Sequence, residues 1–421
     1  MTSDANTPAT PLPSLAGAAW LAQSSTQAVL GALRAAGYEG RIVGGSVRNT
    51  LMSLPVSDLD IATPATPDAV TRACKAAGLS TVPTGLDHGT VTVISDHKPI
   101  EVTTLRRDIA TDGRRATIAF TESWAEDAER RDFTMNALYC DGDGRLYDFV
   151  GGYADLIARR VRFIGDADQR IAEDYLRILR FFRFHASYAA GEPDRAAMAA
   201  CARGVQGIAR LSAERIRAEL VKLLVAPGSV AAVRAMEDIG LLPALLGVAP
   251  RPDVMASLVD AERDADEEAD AMLRLSALAI ATDDDIERIA DRLRLSNEER
   301  TALLVIDREA IVAIGHVDER RARAIVYRKG RDTARRLALA LRAIAPERAG
   351  EATRLRDTAR SWQPPRLPVA GRDLVARGLE PGPSIGALLS DLERWWIEAD
   401  FPSPDRTRAQ LDILIAAHRD A

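Results

Sequence analysis

Asp58 and Asp60 stand two apart in "SDLDIAT", thirteen residues beyond Gly45 and ten beyond Arg48. In a strand, residues i and i+2 point to one face. The two carboxylates would then lie side by side while Leu59 and Ile61 turn into the core. Like charges so placed repel unless a cation sits between them, and hard oxygen ligands suit Mg²⁺. Upstream, "RIVGGSVRN" reads as a short strand, two glycines and a helix beginning near Ser46. Unpaired N–H groups at a helix start favour an anion, and Gly44 and Gly45 would let it approach the backbone closely. Arg48, one turn in, could reach the same phosphates bidentately. A Gly-Gly turn or an acidic pair is common alone. Together at this spacing they suggest a phosphate cradle beside two metal-binding carboxylates.

The elements that must position these groups are well punctuated. Residues 26–36 read as an amphipathic helix stopped by Gly37, followed by a strand Arg41–Val43. "TPDAVTRACKAAG" has Thr66 as N-cap, Pro67 at the first helical position and Gly78 as stop. "GTVTVIS" and "IEVTTL" read as a pair of strands, and "DGDG" as the turn between "ALYC" and "RLYDF". The polar stretch Arg106–Glu129 reads as a long connection, more often functional or disordered than structural. From about Asp155 the pattern is nearly all helical, without a repeat of fixed period.

The 421-residue chain is long enough for several domains, and its 47% hydrophobic and 28% charged content is that of a globular protein. No apolar run reaches the roughly 18 residues of a membrane span. The Pro-rich opening residues lack the pattern of a secretory signal and read as a disordered leader, 1–22. Cys74, Cys140 and Cys201, widely spaced, suggest neither disulfides nor zinc and fit a reducing cytoplasm. The net charge of −6 does not advertise nucleic-acid binding, but charge is unevenly spread. Twelve acids and three arginines fall between Asp260 and Asp291; thirteen Lys/Arg and six acids fall between Asp318 and Arg360, an excess of seven positive charges. Such a region can attract a phosphate backbone or merely solvate helix faces.

In "EDYLRILRFFRF", Asp174, Arg177, Arg180 and Arg183 recur every three residues, which on a helix makes one drifting stripe beside Leu176, Leu179 and Phe182. The plain alternative is an amphipathic helix with surface ion pairs.

These stretches resemble the polymerase-β-type nucleotidyltransferases, in the branch of class II tRNA nucleotidyltransferases, the CCA-adding enzymes. "GGSVR…DLD" looks like that family's signature, "RRDFTMNAL" like its second motif, "EDYLRILRFFRF" like its nucleotide-recognition helix, and "LSAERIRAEL" like the next neck motif. The likeness is clear over about residues 40–225 and weaker beyond. Where the family usually has Asp after the motif arginine, this chain has Asn49. The fold so implied is α+β: a mixed-sheet head (23–155), a helical neck (156–228) and a helical body and tail (229–421) that binds tRNA. The resemblance implies that Asp58 and Asp60 hold two Mg²⁺, with Glu101 as third carboxylate. Gly44, Gly45 and Arg48, with Arg130 and Arg131, would hold the triphosphate, and Asp132 would orient one of those arginines. Asp174 and Arg177 would read the base: cytosine and adenine each offer an amine donor beside a ring-nitrogen acceptor, and carboxylate plus guanidinium complement that edge. Arg180 and Arg183 would touch base or phosphates. The stretch 106–129 would be the loop that moves in the switch from C to A. Implied partners are CTP, ATP and tRNA, with no DNA and no membrane. A poly(A) polymerase, a CC-only or A-only enzyme, or a non-catalytic RNA binder are the alternatives.

Overall fold

The computed structural model describes residues 11–85, 88–112 and 115–419. The chain divides into two compact units, Met1–Gly247 and Val248–Ala421.

The first unit begins with α1 (Ser24–Ala35), β1 (Arg41–Val43), α2 (Gly45–Leu51), β2 (Asp60–Thr63) and α3 (Pro67–Ala76). The punctuation expected for α3 is present, Thr66 accepting from the Ala69 amide with Pro67 at the first turn. Next come β3 (Ser80–Gly85), β4 (Thr90–Ser95), β5 (Lys98–Thr104), β6 (Arg106–Asp112), β7 (Arg115–Phe120) and α4 (Trp124–Glu129). β8 (Leu138–Cys140) and β9 (Leu146–Asp148) form the hairpin expected around Asp141–Gly144. Seven strands make one mixed sheet in the order β3-β4-β5-β2-β1-β8-β9, in which only β2 and β5 pair in parallel. The stretch 106–129, expected as a long connection, is instead a separate two-stranded hairpin followed by a helix. Backbone pairing between β6 and β7 supplies there the structure that polar composition concealed. Arg41 anchors α4 to the sheet: its guanidinium lies 4.1 Å from the Trp124 ring centre and 3.6 Å from that of Tyr147.

Part of the expected leader is also ordered. Within residues 11–22, Leu15, Ala18, Trp20 and Leu21 are buried. The Leu15 amide donates to Gly144 O at 2.7 Å, and the Trp20 indole donates to Thr50 Oγ1 at 2.7 Å. Gly144 (φ 88°) must be glycine, since a Cβ there would lie 2.2 Å from the Ala16 nitrogen. Residues 1–10 lie outside the described residues.

Helices complete the unit: α5 (Gly152–Ile157), α6 (Ala167–Glu173), α7 (Leu176–Tyr188), α8 (Arg195–Gly204), α9 (Ala213–Leu224), α10 (Ser229–Asp238) and α11 (Leu241–Leu246). α7 buries Leu176, Leu179 and Phe182, the apolar stripe expected of it, and also Ile178, Phe181 and Phe184. Phe133, Phe163, Phe181 and Phe184 stack together, joining the end of the sheet region to α7. A break separates α6 from α7, so Asp174 does not ride on the helix as the three-residue spacing suggested. It is extended (φ −157°, ψ 107°) and its side chain accepts from the Leu176 amide, because a short acid there satisfies a free N–H at the start of α7.

Among the described residues the elements of the second unit are all helices, from α12 (Pro252–Asp264) and α13 (Ala271–Ala279) through α14 (Asp283–Leu293), α15 (Asn297–Ala302), α16 (Arg308–Ala313), α17 (Glu319–Lys329), α18 (Arg331–Ile344), α19 (Ala349–Ser361), α20 (Gly371–Val375), α21 (Pro383–Glu398) and α22 (Pro404–Arg419). Here the acidic and basic segments meet. Arg342 pairs with Asp264, Arg336 with Asp270, and Arg335 and Arg360 both with Glu267. Much of the positive excess of 318–360 is therefore balanced inside the unit.

Candidate active site

Sheet register assembles the core of the site. Val43 pairs with Asp60, and Asp60 pairs in parallel with Glu101, so the strand leading into Gly44 and both carboxylates lie in one line across β1, β2 and β5. Glu101 sits mid-strand in β5 rather than at a strand start, and is exposed. β2 begins only at Asp60, so Asp58 precedes the strand as an exposed residue and accepts from Ser57 Oγ at 2.9 Å. Leu59 is correspondingly half-buried, and only Ile61 is in the core. Burial raises the Asp60 pKa; Glu101 and Asp58 push it the same way, and Arg131 opposes them. Asp60 thus sits between two like charges, Glu101 and Asp58, with Arg131 as the opposing one. Among the described residues no three His, Cys, Asp or Glu side chains gather tightly enough to hold an ion unaided. The donor set is all oxygen and open on one side, which fits a hard divalent ion whose remaining ligands come from substrate and water.

Gly44 (φ 76°, ψ −124°) takes a backbone conformation reserved to glycine. A Cβ there would point toward Asn136 O and Arg131 Nη1, 3.9 and 4.0 Å away. Arg131 is therefore the arginine of "RRD" that stands beside the Gly-Gly turn. Its holder is a residue that sequence reasoning missed. Asp127, 1% exposed, accepts from Arg130 Nε (2.9 Å), Arg131 Nη2 (2.9 Å) and Tyr139 Oη (2.8 Å), and its Oδ1 faces the Arg106 amide at the base of the β6–β7 hairpin. Burial alone would raise its pKa, but Arg131 and Arg130 hold it down at about 2. The acid four residues before Arg131 was the available signal; i, i+3 and i, i+4 pairs need only a helix, and this one fell in the supposed loop.

Asp132, expected to orient one of those arginines, takes Arg180 instead, through Nε at 2.8 Å. Burial would raise its pKa; Arg180, the Asn136 amide and the Phe133 N–H hold it at about 2. Asn136 relays between Asp132 Oδ1 (3.0 Å) and Arg48 Nη1 (2.5 Å), so an Arg48–Asn136–Asp132–Arg180 chain ties α2 to α7. Arg48 is buried and donates also to Asn49 Oδ1 and Tyr188 Oη. One Nη1 N–H is left over, which does not provide the free two-pronged fork expected of it.

Asp174 and Arg177, the pair expected to read the base, are each held by other groups. Asp174 Oδ2 accepts from Arg215 Nη2 at 2.6 Å, and Arg215 belongs to the "LSAERIRAEL" motif. Arg177 donates through Nη1 to Arg170 O (2.6 Å) and to Glu173. Among the described residues its Nε and Nη2 find no hydrogen-bond partner. Arg183 pairs with Glu219 from the same motif. A cavity of about 780 Å³ is lined by Arg170 and Glu173 together with Asp166, Asp168 and Arg203, and by none of the three carboxylates Asp58, Asp60 and Glu101.

Comparison with known proteins gives one consistent result. Residues 40–162 match the family described as Poly A polymerase head domain, and residues 192–255 match a probable RNA and SrmB-binding site of polymerase A. The mitochondrial CCA tRNA nucleotidyltransferase 1 of Mus musculus is 34% identical over 372 residues, covering 86% of this chain and 84% of that one. The CCA-adding enzyme of Levilactobacillus brevis is 33% identical over 390 residues, covering 89% and 94%. The crystal structure of the Bacillus stearothermophilus CCA-adding enzyme with CTP has the same fold, with a TM-score of 0.70 at 24% identity over 94% of this chain and 98% of that one. From this likeness in sequence over most of its length, the chain belongs to the CCA-adding enzymes, a family of metal-dependent nucleotidyltransferases.

Proposed function

We propose that this protein adds C, C and A to the 3′ end of tRNA from CTP and ATP, releasing pyrophosphate. What carries the reading is the register that sets Asp60 beside Glu101 and next to the Gly44 turn, in a chain alike along most of its length to relatives named for this activity. Asp58 and Asp60 would hold two Mg²⁺, which when bound lower the pKa of the attacking 3′-hydroxyl and neutralise the leaving pyrophosphate. Glu101 orients or deprotonates that hydroxyl. Gly44, Gly45, Arg48 and Arg131 hold the triphosphate, with Arg131 fixed by Asp127. Asp174 accepts from the exocyclic amine of cytosine or adenine while Arg177 donates to the ring nitrogen; uracil and guanine present the reverse pattern and leave polar groups unpaired. Arg215 and Glu173 keep the two readers in place, and Arg180 and Arg183 line the same side.

For the second unit we propose backbone contacts to tRNA through its exposed cations, such as Arg328, Lys329, Arg366 and Arg372, because many of its other arginines are already paired. No described helix is long and apolar enough to cross a membrane. Cys74, Cys140 and Cys201 are free and buried, which favours a reducing compartment such as the cytoplasm, although the mouse relative is named as mitochondrial.

The test is incorporation into tRNA ending at the discriminator base, with CTP alone, ATP alone and both. Two C's followed by one A supports the proposal. A long A tail, or A added only to tRNA already ending in CC, would assign the narrower activities instead.

A further inference from the structure

Every hydrogen-bond acceptor of the Arg48 guanidinium is neutral. Nε and Nη2 donate to Asn49 Oδ1 at 3.1 and 2.8 Å, Nη2 also to Tyr188 Oη at 2.9 Å, and Nη1 to Asn136 Oδ1. Arg48 is 6% exposed, with the Tyr188 ring centre 4.1 Å from its guanidinium. Its neighbours are treated differently. Arg130 and Arg131 have Asp127, Arg177 has Glu173, Arg180 has Asp132, Arg183 has Glu219 and Arg215 has Asp174. A buried cation whose hydrogen bonds all go to neutral groups, and on which Asp132 acts only from beyond Asn136, is costly until an anion reaches it.

Asn49 creates this shortfall. Its Oδ1 receives Nε and Nη2 together, one oxygen taking both prongs of the guanidinium. Its Nδ2 donates to Pro55 O at 2.8 Å, which fixes which end of the amide faces the arginine. A Cβ built on Gly45 would lie 3.7 Å from Arg48 Nη2, so the held guanidinium rests against the Gly-Gly turn.

We infer that Asn49 sets the nucleotide affinity of this site: its neutral amide holds Arg48 without discharging it, and the triphosphate of the incoming nucleotide is the counter-ion that the buried guanidinium lacks. This rests on the triphosphate reading of the Gly44–Arg48 turn. An Asp at this position keeps an oxygen for the guanidinium and cancels the charge, at the cost of the hydrogen bond to Pro55 O, whereas an Ala gives up the fork and leaves the charge.

Calorimetric titration of the full chain with CTP and with ATP, in Mg²⁺ and without tRNA, separates these effects. Asn49→Asp should weaken both nucleotides about tenfold and flatten the dependence of Kd on ionic strength. Asn49→Ala, which gives up the fork but leaves the charge, should weaken them by clearly less than Asn49→Asp does. Unchanged CTP affinity in Asn49→Asp, or equal weakening by Ala and Asp, would overturn the inference. Failure of the unsubstituted protein to bind either nucleotide would instead remove the triphosphate reading, and the inference with it.

Discussion

Replacing Asp127 by Asn tests how the arginines of the site are held. The carboxylate is 1% exposed and its pKa is held at about 2 against an ordinary 3.8. A depression of that size, at about 1.4 kcal/mol for each pH unit, corresponds to between about 2 and 3 kcal/mol of folding stability. Because the folded pKa is the lower one, this contribution is fully present above the unfolded value near 3.8 and is lost as pH falls through about 2. Asn keeps the shape and some hydrogen bonds but leaves Arg130 and Arg131 unneutralised; both reach some water, at 15% and 19% side-chain exposure, which limits the penalty. The expected loss is about 2–4 kcal/mol at pH 7. It should shrink toward low pH, with nearly half of the linkage contribution gone by about pH 3. Urea unfolding, read by hydrogen exchange on peptides spanning 121–140, gives the number. A loss under about 1 kcal/mol at pH 7, or one that does not change between pH 7 and pH 3, would refute the reasoning.

Further predictions concern the other parts of the account. Gly144→Ala should detach residues 11–22, because its Cβ meets the Ala16 nitrogen; limited proteolysis before Ser24 should speed up while the sheet stays protected. Glu267→Gln should cost the second unit about 1–2 kcal/mol in thermal unfolding, since both its oxygens are taken, by Arg335 and Arg360. Arg177→Ala should relax selection against UTP and GTP more than it lowers CTP incorporation, measured as ratios of kcat/KM; unchanged ratios would remove its base-reading role.

Much of the proposed catalytic floor was legible because its signals are local. A strand, two glycines and an acid-x-acid pair fall within twenty residues, and their types alone suggest anion and cation chemistry. The apolar face of α7 was legible for the same reason, by period. The supports were not. Arg215 finds Asp174 across 41 residues, Arg180 finds Asp132 across 48, and Arg360 finds Glu267 across 93. No spacing rule reports such pairs, so the basic run of 318–360 read as an unbalanced patch when its partners lay in the acidic run before it. Residues 11–22 were misread for a related reason: one buried indole and one glycine's close approach order a segment whose composition alone suggests none.

The central claim is that Asp60, in register with Glu101 and beside the Gly44 turn, carries the metal-assisted transfer. Single-turnover incorporation of C into tRNA ending at the discriminator base, by the unsubstituted protein and by Asp60→Asn side by side at saturating Mg²⁺ and CTP, tests it most directly. The account predicts a rate at least about a thousandfold lower for Asp60→Asn, with tRNA binding and melting temperature retained. A rate within tenfold of the unsubstituted protein would contradict it.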